Sequence, residues 1–266
     1  MIDSTEKNLY LNDAQFYDLD NREIIKTDIP FFLKRTSSVN GDILELACGT
    51  GRITIPLAQS GRTIWGLEYS ETMIAQFKLK MEGLPKEVAE RIHLFHGDMS
   101  NFSLEKKFPL ILLPSRSFQL LLDEELENAC LKLIHHHLED QGTFIIDIGN
   151  FMGNKKKEST WVNETAVFDW ENTDPKTGYK VHRTHIKKEI DTDRQIIYPQ
   201  KTYRVTKTDG NTETIVKRAP WKYFFEDQVR HLLMANNFKI IEAMGTYDGK
   251  PISEETPEFI FICQKK

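Results

Sequence analysis

Long apolar runs are missing from this chain of 266 residues, and the most apolar stretch, 108–114, is far too short to cross a bilayer. Cysteine is scarce: Cys48, Cys130 and Cys263 are the only three, and none forms a Cys-x-x-Cys pair. That spacing suggests neither a zinc ribbon nor a disulfide framework, and free thiols suit a reducing compartment. The N-terminal residues show no basic stretch followed by an apolar run, so no secretory signal is expected. The expectation is a cytoplasmic protein without a membrane anchor. A surplus of basic charge is also absent: the formal net charge is −5, which argues against a dedicated nucleic-acid binder. No internal repeat or low-complexity block is apparent. What remains is an ordinary globular balance of 39% hydrophobic and 28% charged residues, enough for a sizeable core in one large domain or two small ones.

Residues 13–37 read as helical, with Pro30 interrupting the run. From there to residue 150 short apolar segments alternate with helical patterns. Strands are expected at 42–47, 63–68, 92–95, 110–113 and 142–148, and helices at 52–60, after a Ser70 cap, and over 120–138. Such alternation is the mark of a parallel sheet covered by helices on both faces, which binds ligands beyond the carboxyl ends of its strands. After Asn150 the period changes to two. Segments 161–170, 179–190, 195–205 and 212–216, with Asp209-Gly210 as a hairpin signal, read as an inserted antiparallel sheet. A helix at 225–237 and strands at 239–243 and 258–264 follow. Residues 1–150 and 225–266 are therefore expected to form the core, and 151–224 the insert. The insert holds 15 Lys and Arg against 10 Asp and Glu. Solvated strand faces account for that surplus; a sharper reading has Lys187 and Lys188 helping to hold an anionic substrate.

The informative segment is Ile43-Leu-Glu-Leu-Ala-Cys-Gly-Thr-Gly-Arg52. A strand turns sharply there, and glycines permit positive φ and close approach of a ligand to the backbone. The turn opens a helix whose free amides favour polar or anionic groups. Dinucleotide enzymes use similar loops, so two further acids matter. Glu68 ends the next strand, 17 residues after Gly51, where a carboxylate can accept both hydroxyls of a ribose. Asp98, after Gly97, ends the third strand, where it can meet the exocyclic amine of an adenine.

With these features the sequence resembles class I S-adenosylmethionine-dependent methyltransferases over nearly its whole length. Glu45-Leu-Ala-Cys-Gly-Thr-Gly51 matches the first motif of that family, with Ala47 where many members carry glycine. Glu68 matches the ribose acid, Tyr69 and Met73 the positions flanking the adenine, and Gly97-Asp98-Met99 the adenine motif. The resemblance implies a Rossmann-like α/β fold: a seven-stranded, mostly parallel sheet with helices on both faces, ending in an antiparallel pair, plus the antiparallel insert after the fifth strand. It implies S-adenosylmethionine as cofactor, S-adenosylhomocysteine as product, and a cofactor site drawn from Tyr17, Glu45, Ala47, Cys48, Gly49, Gly51, Arg52, Glu68, Tyr69, Met73, Gly97, Asp98, Met99, Pro114 and Ser115. With Phe16-Tyr17-Asp18, the run Pro114-Ser-Arg-Ser-Phe-Gln119 and the β-rich insert, the chain also resembles a bacterial subgroup related to sugar N-methyltransferases and glycine N-methyltransferase. By that resemblance Tyr17 lies near the methyl group or the cofactor carboxylate, and Arg116 and Gln119 lie where the acceptor enters, Arg116 holding an acceptor anion or the cofactor carboxylate.

The expected reaction is in-line methyl transfer to nitrogen or oxygen of a small molecule. Competing readings keep the cofactor but change the substrate to RNA or protein, or keep the binding and drop catalysis. A nicotinamide dehydrogenase fits poorly, because Thr54 stands where its third glycine belongs. No metal site is expected: His135, His136 and His137 are consecutive on a helical pattern and point apart, and His182 and His185 fall on opposite faces of a strand. His96 is read as a packed strand-end residue, and Cys48 as a small one without a nucleophilic role. The insert is expected to cover the site as a lid, to pack against a second copy in a homodimer, or both.

Overall fold

The computed structural model describes residues 13–22, 27–151, 161–163 and 165–266. Its frame is a seven-stranded sheet. Strands β1 (Ile43–Leu46), β2 (Ile64–Glu68), β3 (Ile92–His96), β4 (Phe108–Leu113) and β5 (Leu138–Gly149) run parallel, joined by β11 (Phe238–Met244) and β12 (Glu258–Lys265). The spatial order is β3-β2-β1-β4-β5-β12-β11, with β12 antiparallel to both of its neighbours. Strand order reverses between β1 and β4, so the crevice beyond their carboxyl ends is the natural ligand position. β1 is buried at every residue and β4 at all but Pro109, as continuous apolar runs in a sheet covered on both faces require. The core around Leu44, Leu113, Phe144 and Phe261 fills one face, and that around Phe32, Ile43, Leu112 and Ile260 the other.

The expected helix over 13–37 is not continuous: among the described residues, which leave out 23–26, it divides into separate elements. A 3-10 turn spans Ala14–Leu19 and a helix spans Asp28–Thr36. Pro30 does not interrupt this second element. It lies in the first turn, where its missing N–H has no intrahelical acceptor to lose. The pattern over 120–138 also divides, into a 3-10 turn at Ser117–Leu120 and the helix Glu124–His137. Glu124, Glu125 and Glu127 open that helix and three histidines close it, an order that suits the helix dipole. Ser70 caps Glu71–Met81 through its hydroxyl, which accepts from the Met73 amide.

The inserted sheet comprises β6 (Val167–Thr173), β7 (Lys180–Asp191), β8 (Ile196–Thr206), β9 (Thr212–Arg218) and β10 (Trp221–Lys222), all antiparallel. Its inner face packs on the N-terminal 3-10 turn: Phe16 and Leu19 join Trp170, Val181, Tyr203 and Val205 in one apolar cluster. The turn also touches Glu71–Met81 of the core, through Lys80 to Asp18 at 2.9 Å. It is thus held between the core and the insert. No helix among the described residues is long and apolar enough to cross a membrane.

Candidate functional site

The carboxyl ends of β1, β2 and β3 open into a cleft of about 590 Å³. Its floor is the loop after β1, where Ala47, Gly49 and Gly51 all have positive φ, at 53°, 58° and 79°. Ala47 holds this conformation against the cost of its Cβ. The two glycines differ. A Cβ on Gly49 would meet nothing within 4 Å, so this position leaves open space over the backbone. A Cβ on Gly51 would sit 2.4 Å from the Phe77 ring, and Gly51 does not line the cleft. Gly51 therefore makes room for a core aromatic, which the motif alone did not reveal. Cys48 packs against Gly66, where a Cβ would fall 2.9 Å from its sulfur; burial pushes its thiol well above the ordinary range, leaving an inert small side chain.

Three acids sit at the three strand ends. Glu68 accepts from the Gly49 amide at 2.9 Å and from the Ser70 amide at 2.7 Å, one on each oxygen. Burial raises its carboxyl above the usual range and these amides pull it back. Glu45, at the end of β1, is pushed up to about 8 by burial, against the Thr54 hydroxyl that donates to it at 2.6 Å. Thr54 thus has a use of its own where a dinucleotide enzyme would need glycine. Asp98 receives the Ser100 amide and hydroxyl on Oδ1, at 2.8 and 2.7 Å, while Oδ2 accepts from no described residue. Tyr69, Met73, Gly97 and Met99 complete this wall, with the Tyr69 carbonyl 2.9 Å from His96 Nε2.

The opposite wall begins with Arg52, whose guanidinium takes both oxygens of the buried Asp28 at 2.7 and 2.6 Å and also donates to Ser115 Oγ. Tyr17 bonds to the same guanidinium, and burial raises its phenol above the ordinary value. Beyond Pro114, which does not itself line the cleft, Ser115 and Arg116 are successive non-glycine residues with φ of 62° and 60°. The fully buried Asp147 of β5 holds that strained pair, accepting from the Ser115 amide at 3.0 Å, the Arg116 amide at 2.6 Å and the Tyr247 hydroxyl at 2.9 Å. Arg116 then pairs with Glu258, whose carboxyl burial lifts to about 7, and lies over the Phe151 ring. Its charge is already met within the protein. Gln119 is also committed: its oxygen accepts from the Gly149 amide and its nitrogen donates to the Lys222 carbonyl, tying β5 to β10.

Sequence reasoning missed Asp28, Asp147, Tyr247 and Glu258. Asp147 carried a signal, as an acid inside the apolar run 144–148, where burial demands partners. The insert was expected as a cover, but the residues that make this roof went unseen. It is formed by Arg183, Lys201, Tyr203 and Trp221 of the insert, with Asp20 and Arg22 from the N-terminal segment. Lys187 does not reach it: its ammonium lies 3.8 Å from the centre of the Trp161 ring, and Lys188 is exposed. His182 and His185 do take different partners, Glu171 and Asp169 respectively.

Residues 43–142 match a family model described as a methyltransferase domain. A putative methyltransferase of Geobacillus sp. (strain WCH70) is 20% identical over 84% of each chain. The dTDP-3-amino-3,6-dideoxy-alpha-D-glucopyranose N,N-dimethyltransferase of Streptomyces fradiae is 30% identical over 45% of this chain, which spans 44% of that protein. In fold, an S-adenosylmethionine-dependent methyltransferase from Clostridium acetobutylicum ATCC 824 superposes with a TM-score of 0.74, at 19% identity, over 95% of this chain and 96% of that one.

Proposed function

We propose that this chain, which carries a class I S-adenosylmethionine-dependent methyltransferase domain, methylates an amine nitrogen of a small polar molecule. The observation that carries this reading is the continuity of the cleft, from Glu68 and Asp98 on the core to Lys201, Tyr203 and Trp221 on the insert. At about 590 Å³ it suits a cofactor with a small acceptor beside it. The Streptomyces fradiae relative, named as an amino-sugar N,N-dimethyltransferase, supports nitrogen over oxygen.

The residues present fit the cofactor. Gly49 leaves space over its backbone, Asp98 keeps Oδ2 for an adenine amine, and Glu68 has lone pairs left for two ribose hydroxyls. The cofactor supplies a methyl group already activated on a sulfonium. The protein must align the nucleophile and exclude water, and alignment contributes about 7–11 kcal/mol in favourable systems. Tyr17 and Arg52 flank that position, and the insert shields it from above. The acceptor amine must be neutral to present its lone pair. A large macromolecular substrate fits less well, because several basic groups of the insert are met internally. Arg183 pairs with Asp169, Lys222 with Glu127, Arg194 with Asp123, and Lys187 lies over Trp161. We also place the protein in the cytoplasm, on the strength of three buried free thiols.

The test is incubation with S-adenosylmethionine and matched panels of amines and alcohols, following S-adenosylhomocysteine and the mass of the acceptor. Methylated amines are expected. Exclusive alcohol methylation would shift the reading to oxygen, and cofactor binding without turnover on either panel would leave a sensor.

Two further outcomes are expected. Tyr17→Phe removes a hydroxyl bonded to a charged group, an interaction of about 1.5–3 kcal/mol, and should lower kcat about 10-fold or more. Unchanged steady-state constants would remove Tyr17 from the mechanism. Glu45 provides a pH signature. Its folded value of about 8 lies above that of an unfolded glutamate, so its contribution to the stability of the ligand-free protein is largest at acid pH and is lost as pH rises toward 8. An incoming cofactor ammonium favours the carboxylate. Calorimetry near neutral pH in buffers of different ionisation enthalpy should then show net proton release, absent in Glu45→Gln.

A further inference from the structure

Lys201 stands apart from the other charges of the roof. In the register of β7 with β8, Arg183 faces Tyr203 and His185 faces Lys201, which places these four on the inner face of the insert. The ladder between β6 and β7 slips between Phe168 and Trp170, and this bulge turns Asp169 inward beside them. Asp169 then takes Arg183 at 2.9 Å, His185 at 2.9 Å and Arg22 at 3.4 Å. Burial opposes its charge, but His185 and Arg183 outweigh it and hold the carboxyl down to about 2. Asp20 takes the remaining valence of Arg22 at 2.6 Å and meets Arg183 at 3.5 Å. Asp13 is engaged by the Tyr203 hydroxyl at 3.0 Å.

Two arginines and two aspartates thus satisfy each other. Lys201 lines the same cleft, yet it makes no hydrogen bond and no ion pair among the described residues. Asp13 and Asp169 act on it only from a distance, against burial and the nearby Arg183, and its ammonium is held down to about 8. It therefore stays mostly protonated at neutral pH. A half-buried ammonium without a counter-ion among the described residues is costly, and the cost is removed when an anionic ligand supplies that contact.

We propose that the roof of the cleft is an anion subsite, in which Lys201 holds a carboxylate or phosphate carried by the methyl acceptor. The acceptor class is then an amine bearing an anionic group, with the amine reaching down toward Tyr17 and the anion up toward β8. This deepens the reading of the site as a small-molecule N-methyltransferase and rests on it. It also moves the anion-holding function expected of Lys187 and Lys188 to a residue that faces the cleft.

The test has two arms. The first uses thermal shift of the cofactor-loaded protein with inorganic phosphate and needs no turnover. A phosphate-dependent rise in Tm that survives in Lys201→Arg and vanishes in Lys201→Gln supports the subsite. No rise in the wild-type protein overturns it. The second compares matched acceptors: phosphoethanolamine with ethanolamine, and 3-aminopropionate with propylamine. KM for the anionic member is expected to be about 10-fold lower, and Lys201→Gln should collapse that ratio while Lys201→Arg retains it. Equal KM within each pair overturns the subsite while leaving N-methylation standing. So does a Lys201→Gln variant that loses kcat equally on every amine with a shifted pH profile, because Lys201 would then be a proton acceptor. A Lys201→Gln variant that weakens S-adenosylmethionine binding itself, with the ratio intact, assigns Lys201 to the cofactor carboxylate and overturns it too. If no amine is methylated, the broader reading fails and the phosphate arm alone decides the subsite.

Discussion

Replacing Glu68 by alanine should raise the dissociation constant for S-adenosylmethionine by about 100-fold, read by calorimetry on cofactor-stripped protein. Charge-assisted hydrogen bonds of the kind two ribose hydroxyls would make contribute about 1.5–3 kcal/mol each. The geometry adds a second loss. Each Glu68 oxygen already receives a backbone amide, from Gly49 on one side and Ser70 on the other, so the carboxylate also fixes the loop after β1 and the start of the helix Glu71–Met81. Glu68→Gln should be nearly as damaging. One of those two amides would then face an NH2 group, donor against donor, and the side chain must rotate away or the loop must move. A glutamine variant with wild-type affinity would mean that the carboxylate does not hold the ribose.

Asp147→Ala should be the most destabilising single change near the site. Its carboxylate is fully buried and accepts two amides and a hydroxyl from Ser115, Arg116 and Tyr247. Removing it orphans buried donors at a place where two side-chain-bearing residues are held in left-handed conformation. The expected loss is about 3–5 kcal/mol, a fall in Tm of roughly 10 °C in a chain of this size. Asp147→Asn keeps one acceptor oxygen for two amides and should lose about half as much. Adding Ser115→Gly to the alanine variant removes one left-handed penalty and should return about 1 kcal/mol. A thermal melt unchanged in Asp147→Ala would show that the turn after β4 holds its shape unaided.

The parallel sheet was legible because its evidence is local. An apolar strand, a tight turn and a capped helix are written in adjacent residues, and the insert announced itself by its period of two and by Asp209-Gly210. The loop after β1 was legible for the same reason. Its two glycines look alike in sequence, however, and differ only in what stands above them: open space at Gly49 and the Phe77 ring at Gly51. Arg116 read as a free anion holder because its partner, Glu258, lies 142 residues away. The N-terminal segment read as one helix because its apolar residues are well spaced, yet Phe16 and Leu19 are claimed by the insert and Phe31 and Phe32 by the core. Lys201 is one basic residue among many in sequence. What sets it apart is that its neighbours are paired with one another, a property of the whole cluster and of the bulge that admits Asp169.

The position of β12 has a consequence for biosynthesis. The strand β5 has β4 on one side and β12 on the other, and β12 comprises residues 258–265. Between the two lie the entire insert, the helix Glu226–Ala235 and β11. While the chain is being made, β5 therefore waits with one apolar edge open until more than a hundred further residues have left the ribosome. Pairings over such separations are slow to close. The nascent protein should consequently depend on chaperones through this interval, and truncations that remove β12 should aggregate rather than fold, even though every residue of the loop after β1 is already in place.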